Sequence, residues 1–164
     1  MNTLSIRPIR KEEYPQVVEL IKRTMLEVNI NDYEEEYLLE YVKRYDDKEL
    51  AAFVESPGCH FYVAYLGEEL AACGAVASSE EMKGAMEIRS VYVRPDLEGM
   101  GLGREMMAVL EGDSNFLTAR WVVVSASITA HPFYAKLGYT YVGGEPVLVE
   151  NDHYWMEKFP KRKK

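Results

Sequence analysis

The chain has 164 residues, 48% of them hydrophobic and 28% charged, and a formal net charge of −8. These values predict one globular domain at residues 1–160 and a basic, disordered tail at 161–164. The acidic balance argues against a nucleic-acid partner, and no apolar run approaches the ~20 residues of a membrane span. The first residues lack the apolar core of a signal peptide, so we expect a cytoplasmic protein without a membrane partner. No Cys/His spacing indicates a metal site.

The hydrophobic pattern predicts strands and helices in the order βααα-ββ-βα-βα-ββ, without repeats or linkers. In chain order, we expect a strand at 4–9, helices at 11–27, 33–45 and 47–55, strands at 61–66, 70–78 and 85–93, a helix at 103–111, a loop at 112–118, a strand at 121–125, a helix at 127–137, and strands at 139–142 and 153–159. In the helix predicted at 33–45, a tyrosine recurs every four residues, which places these side chains along one face. Packing in the core is the default account of these tyrosines, and some of them could line a substrate cleft: Tyr33, Tyr37, Tyr41 and Tyr45.

A glycine-rich segment joins the strand at 85–93 to the next helix. Gly99, Gly101 and Gly103 alternate there, so backbone N–H groups can crowd together ahead of the positive end of a helix. This arrangement predicts a cradle for a phosphate or a diphosphate. The segment has neither the Gly-Lys-Ser/Thr ending of a Walker loop nor the G-x-G-x-x-G spacing of a dinucleotide fingerprint.

A second motif lies at 127–139. Ser127 stands in position to cap a short helix, Phe133 and Leu137 are spaced to pack on one face, and Gly138 is placed to end the helix. Tyr134 lies between them and is either a functional group or an incidental packing residue.

Together these motifs resemble those of the GNAT superfamily of N-acetyltransferases. The cradle is similar to [Gln/Arg]-x-x-Gly-x-Gly but has Glu98 in the first position. Residues 127–139 are similar to Asn-x-x-Ala-x-x-Phe-Tyr-x-Lys-x-Gly-Phe, with Ser127 for Asn and Tyr139 for Phe. The resemblance is close over about residues 85–143. It implies a central mixed α/β fold with a mostly antiparallel sheet of about seven strands and helices on both faces. It also implies transfer of an acetyl group from acetyl-CoA to a primary amine of a small molecule or peptide, by direct attack in a ternary complex.

The resemblance also implies roles for individual residues. Tyr134 would be the general acid that protonates the departing thiolate, and the backbone of Val91 and Val93 would pair with the pantetheine arm. Ser127 would contact the cofactor with one hydrogen bond fewer than Asn provides. The remaining cofactor-binding positions surround the diphosphate: Gly99, Met100, Gly101, Leu102, Gly103 and Arg104.

The base that removes the ammonium proton is less defined. Glu87 occupies the place of a strand glutamate that serves as base in some members, although it could be an ordinary exposed glutamate, and other members use water chains. Glu27 and Asp32 could orient an amine, and the acidic first half of the chain would favour a cationic one. His153 could also line the pocket of the amine acceptor, although a solvent-facing histidine is the favoured expectation. The alternative function is a non-catalytic acyl-CoA sensor or interaction protein, and a homodimer is an open expectation.

Overall fold

One seven-stranded sheet forms the centre of the protein. The computed structural model describes residues 2–160, and the tail expected at 161–164 lies outside them. The strands are β1 (Leu4–Pro8), β2 (His60–Leu66), β3 (Glu69–Ser78), β4 (Met86–Val93), β5 (Val122–Ser127), β6 (Thr140–Tyr141) and β7 (His153–Lys158). Their order in the sheet is β1-β2-β3-β4-β5-β7-β6, and only the β4–β5 pair is parallel. The prediction of a mixed, mostly antiparallel sheet is confirmed.

Six α-helices among the described residues cover the two faces of this sheet. They are α1 (Tyr14–Glu27), α2 (Glu35–Arg44), α3 (Asp47–Val54), α4 (Leu102–Glu111), α5 (Ser114–Leu117) and α6 (His131–Lys136). Helices α1 to α3 pack on one face through Val17, Ile21, Leu38 and Leu50, whereas α4 to α6 pack on the other. Within residues 2–160, no helix combines the length and the apolar content needed to cross a membrane.

The central strand β3 shows why helices occupy both faces. Its residues from Ala71 to Ala77 are buried on both sides, so the strand is apolar without alternation. Cys73 and Ala75 belong to the core under α1 to α3, and Ala72 and Val76 belong to the core under α4 to α6.

The feature that positions the site is the separation of β4 from β5. Residues 86–88 of β4 pair with residues 122–124 of β5, and the pairing ends there. Ser90 has a φ of 57°, and the register between β3 and β4 shifts at the same place, which marks a bulge. The second half of β4 therefore leaves its neighbour and opens a wedge between the two strands.

Three local predictions differ from the structure. The helix expected at 127–137 begins only at His131, because Ser127 is the last residue of β5 and its hydroxyl accepts a hydrogen bond from Ala130 N (3.1 Å) in a turn that precedes the helix. The loop expected at 112–118 contains α5, which Asp113 caps by accepting from Asn115 N (2.8 Å). Strand β6 has only two residues.

Candidate active site

The glycine-rich segment forms a left-handed turn before α4. Gly99 has a φ of 81° and Gly101 a φ of 82°, a region that residues with a Cβ rarely adopt. A Cβ built at either position would meet no protein atom within 4 Å. The glycines are therefore required by the backbone conformation, and the space beside them is open.

The turn presents a row of unused backbone donors. The first hydrogen bond of α4 joins Glu105 N to Gly101 O (3.0 Å). Among residues 2–160, no acceptor is found for the N–H groups of residues 99–104. These donors lie at the positive end of α4, in the wall of a cleft of about 670 Å³. The set of donors fits a diphosphate such as the one in coenzyme A.

The predicted cofactor residues divide between two regions. Val91 and Val93 line the same cleft as the glycine turn, beyond the point where β4 separates from β5. Leu102, Gly103 and the exposed Arg104 line it as well, together with Glu98. The Met100 side chain is 63% exposed and lies outside the wall. Ser127 lies in the wall of a neighbouring cleft instead.

This neighbouring cleft has a volume of about 430 Å³ and an acidic lining. Its walls come from the α1–α2 segment, the loop between β3 and β4, β4 itself, α6, and residues of β5, β7 and the turn before β7. Among the described residues, Arg89 is the only Lys or Arg that lines this cleft. The carboxylates that line it are Glu80, Glu81, Glu87, Glu150 and Asp152. An acidic cleft of this kind attracts cations such as a substrate ammonium.

Tyr134 lies where the two clefts meet, since it lines both of them. Its ring is 6% exposed and packs edge-to-face against Phe133 and Tyr139, with centroids 5.1 and 5.7 Å away. Its hydroxyl has no hydrogen-bond partner within residues 2–160. Every fully buried side-chain oxygen in that range has a partner, so the Tyr134 hydroxyl is not fully buried and must reach the cleft surface. Burial raises the pKa of Tyr134, which keeps the hydroxyl protonated at neutral pH.

Glu87 is buried in the acidic cleft rather than exposed on a strand. It is 8% exposed, and its Oε1 accepts a hydrogen bond from the Ser79 hydroxyl at 2.7 Å. Burial raises the pKa of the Glu87 carboxyl, although the Ser79 hydroxyl and the nearby Arg89 guanidinium act in the opposite direction. The carboxylate is therefore a stronger base than one in water.

Three of the four tyrosines of the predicted stripe line the acidic cleft, namely Tyr33, Tyr37 and Tyr41, while Tyr45 packs in the core. Burial, with a contribution from Asp152, raises the pKa of Tyr33 to about 12. The stripe therefore serves both packing and the cleft wall.

Two acidic residues expected near the amine lie elsewhere. Glu27 forms an exposed ion pair with Arg23 (2.7 Å). Asp32 is buried and accepts hydrogen bonds from the Thr129 backbone N (3.0 Å) and hydroxyl (2.7 Å), so it ties the α1–α2 segment to the segment before α6. Neither lines the acidic cleft.

Two further residues line the acidic cleft, one left open by the sequence and one missed. The His153 side chain is only 14% exposed and lines the acidic cleft, so the favoured expectation that it faces solvent is wrong and the alternative place in a pocket wall is the one observed. Asn29 lines both clefts. The alternation of β7 could have indicated that His153 and Trp155 share a face, but no local signal identifies that face as a cleft wall.

Comparisons with known proteins identify the fold and the family of the chain. Solved structures with similar folds include a GCN5-related N-acetyltransferase from Rhodopseudomonas palustris, 24% identical, with 97% of each chain covered and a TM-score of 0.77. A PaiA N-acetyltransferase from Thermoplasma acidophilum in complex with coenzyme A is 15% identical, with 96% of this chain and 99% of that chain covered and a TM-score of 0.77. An acyl-CoA N-acyltransferase from Pseudomonas aeruginosa is 20% identical, with 96% and 99% covered and a TM-score of 0.64.

A comparison with curated protein sequences finds no match. The profile of the acetyltransferase (GNAT) family matches residues 25–139, a segment that includes the glycine turn, both walls of the wedge and Tyr134. The chain therefore belongs to the GNAT family of acetyltransferases.

Proposed function

We propose that the protein transfers an acetyl group from acetyl-CoA to a primary amine of a small molecule or peptide, with both substrates bound at once. The observation that carries this proposal is the position of Tyr134 at the junction of a cleft with unused amide donors and a cleft with excess carboxylates. The first cleft suits an anionic carrier and the second suits an ammonium. Acetyl-CoA supplies the activated acetyl group as a thioester.

The side chains of the junction suit the proton transfers of this reaction. The protonated, unpartnered hydroxyl of Tyr134 is available to donate to a departing thiolate, which is the role of a general acid. The amine must first lose a proton, because its ordinary pKa of ~10.4 keeps it charged near pH 7. Glu87, with its raised pKa and its place in the acidic cleft, remains the sequence-based prediction for the group that accepts it.

The backbone would hold the donor molecule in place. The N–H groups of residues 99–104 are free to bind the diphosphate. Val91 and Val93 lie on the part of β4 that has left β5, so no described strand pairs with the edge that faces the wedge, and the Thr24 hydroxyl donates to Val93 O there (3.4 Å). This edge is placed to pair with the extended arm as an added strand.

A panel of amines tests the proposal. Wild-type protein, acetyl-CoA and small amines, lysine peptides or free peptide N-termini are incubated, and acetylated amine and free CoA are measured together. We expect equal amounts of both products with at least one amine. CoA binding without acetylated product would favour the alternative, a non-catalytic acyl-CoA-binding protein.

The role of Tyr134 is tested with Tyr134→Phe. We expect kcat to fall by about 10²–10⁴-fold while the Kd for CoA and the Tm stay close to wild type. Tyr139→Phe is the matched control, because Tyr139 is equally buried but its hydroxyl donates to Glu111 (2.6 Å) away from both clefts. Full activity of Tyr134→Phe would reject the general-acid role.

A further inference from the structure

The pair Asp152–His153 at the start of β7 lies in the acidic cleft, and the reaction described above does not use it. His153 pairs with Ser127 in the sheet register, and a hydrogen bond from Val149 N to His153 O (2.8 Å) closes the turn before it. Both side chains line the cleft and are mostly buried, with 14% of His153 and 21% of Asp152 exposed.

The hydrogen bonding of His153 leaves one ring nitrogen free. Nδ1 is hydrogen-bonded to the Asp152 carboxylate, and because a carboxylate only accepts, Nδ1 must carry the proton. In the neutral ring, Nε2 then holds a lone pair. Nε2 has no hydrogen-bond partner within residues 2–160. Every fully buried side-chain nitrogen in that range has a partner, so Nε2 is accessible from the cleft. An oriented imidazole with a free lone pair is the arrangement of a general base.

The sheet register places His153 nearer to the junction than Glu87. His153 lies beside Ser127 on the neighbouring strand. The Ser127 hydroxyl is hydrogen-bonded to Ala130 N, and Ala130 O accepts from Tyr134 N; Ala130 lines both clefts. Glu87 pairs with Val123, four residues earlier on β5. At ~3.3 Å per residue, the two positions are separated by about 13 Å along the strand direction. The Glu87 carboxylate is also engaged by Ser79 and lies 3.7 Å from Arg89 Nε.

We propose that His153 is the catalytic residue that takes the proton from the substrate ammonium, that Asp152 is its positioning residue, and that Glu87 attracts the ammonium into the cleft. This proposal rests on the proposed acetyl transfer. Across the reaction, the amine nitrogen loses two protons as its bond to the acetyl carbon forms and the carbon–sulfur bond breaks. The first proton passes to His153 Nε2 and then to water. The second replaces the proton that Tyr134 gives to sulfur.

Other ionisable groups line the acidic cleft together with His153 and enter the design of its test. Glu150 and Asp152 come from the turn before β7, Tyr33 from the α1–α2 segment and Tyr134 from α6. The Glu150, Asp152 and His153 ligand atoms lie within 4.8 Å of one another, which would also suit a divalent cation. A chelator therefore belongs in the experiment.

The experiment compares His153→Gln, Asp152→Asn and Glu87→Gln with the wild type on the best amine of the panel. We expect His153→Gln to lower kcat by about 10²–10⁴-fold near pH 7. The deficit should shrink as the pH rises toward the ordinary amine pKa of ~10.4, because the free amine then needs no base. Asp152→Asn should show the same pH pattern with a smaller loss, and Asp152→Glu should restore part of it. Glu87→Gln should raise the amine KM more than it lowers kcat.

The controls separate a catalytic role from a structural one. His131→Gln is matched, because His131 is also partly buried and hydrogen-bonded, with Nδ1 2.8 Å from the Tyr141 hydroxyl, but lines neither cleft. It should keep the wild-type kcat, and the Kd for CoA should be unchanged in all variants.

Wild-type kcat in His153→Gln at every pH would overturn the proposal while leaving acetyl transfer intact. A pH-dependent loss confined to Glu87→Gln would return the base role to Glu87. Loss of activity in EDTA, restored by a divalent ion, would assign the cluster to a metal and would also overturn it. Absence of product from the wild type would instead refute the acetyl transfer itself.

Discussion

Alanine substitutions in the glycine turn separate backbone strain from ligand binding. Gly99 and Gly101 have φ values of 81° and 82°, and a Cβ at either meets no protein atom within 4 Å. The loss of stability should therefore be purely conformational, about 1–2 kcal/mol for an L-residue in the left-handed region. This corresponds to a fall in Tm of roughly 2–8 °C for a domain of this size.

Gly101→Ala should also weaken the binding of coenzyme A, an effect separate from the loss of stability. The added methyl group of Gly101→Ala enters the open space beside the unused N–H groups of residues 99–104, where we expect the diphosphate. We expect the Kd to rise at least tenfold, which is about 1.4 kcal/mol. Isothermal titration calorimetry with CoA measures it, on protein shown to be folded by a thermal melt.

Gly143→Ala is the matched control. Gly143 has a φ of 81°, its Cβ also meets nothing within 4 Å, and it lines neither cleft. It should lose as much stability as Gly101→Ala and bind CoA with the wild-type Kd. Equal weakening of CoA binding in both variants, or wild-type binding by Gly99→Ala and Gly101→Ala, would refute the assignment of the turn as a diphosphate cradle.

Two further predictions concern stability. Arg7 hydrogen-bonds the buried Glu13 at 2.8 and 2.7 Å and lowers the pKa of its carboxyl to about 2. Because this pKa is below the ordinary 4.5, Glu13→Gln should cost roughly 2 kcal/mol at pH 7, and urea titrations should show the difference from wild type vanishing between pH 4.5 and 2. Gly74→Ala places a Cβ 2.9 Å from Met106 and 3.0 Å from Leu110, so overpacking should cost about 1–3 kcal/mol in urea unfolding; an unchanged midpoint would mean that α4 shifts freely.

Strands, helices and turns that depend on neighbouring residues in the chain could be predicted from the sequence. All seven observed strands overlap the predicted ones, although β6 is shorter than expected, and the left-handed turn before α4 follows from its glycines. The start of α6 was placed four residues early, because a serine capping a turn and one capping a helix look alike in sequence. The positions of Asp32 and His153 depend on register and long-range contacts, with Asp32 bonded 97 residues away to Thr129. No local pattern encodes such contacts.

A crystal structure with coenzyme A and a slow amine substrate tests the central claim most directly. We expect the diphosphate within hydrogen-bonding distance of the N–H groups of residues 99–104, the sulfur beside the Tyr134 hydroxyl, and the amine in the acidic cleft. A diphosphate bound elsewhere, or a sulfur and an amine on opposite sides of an intact wall, would contradict the account.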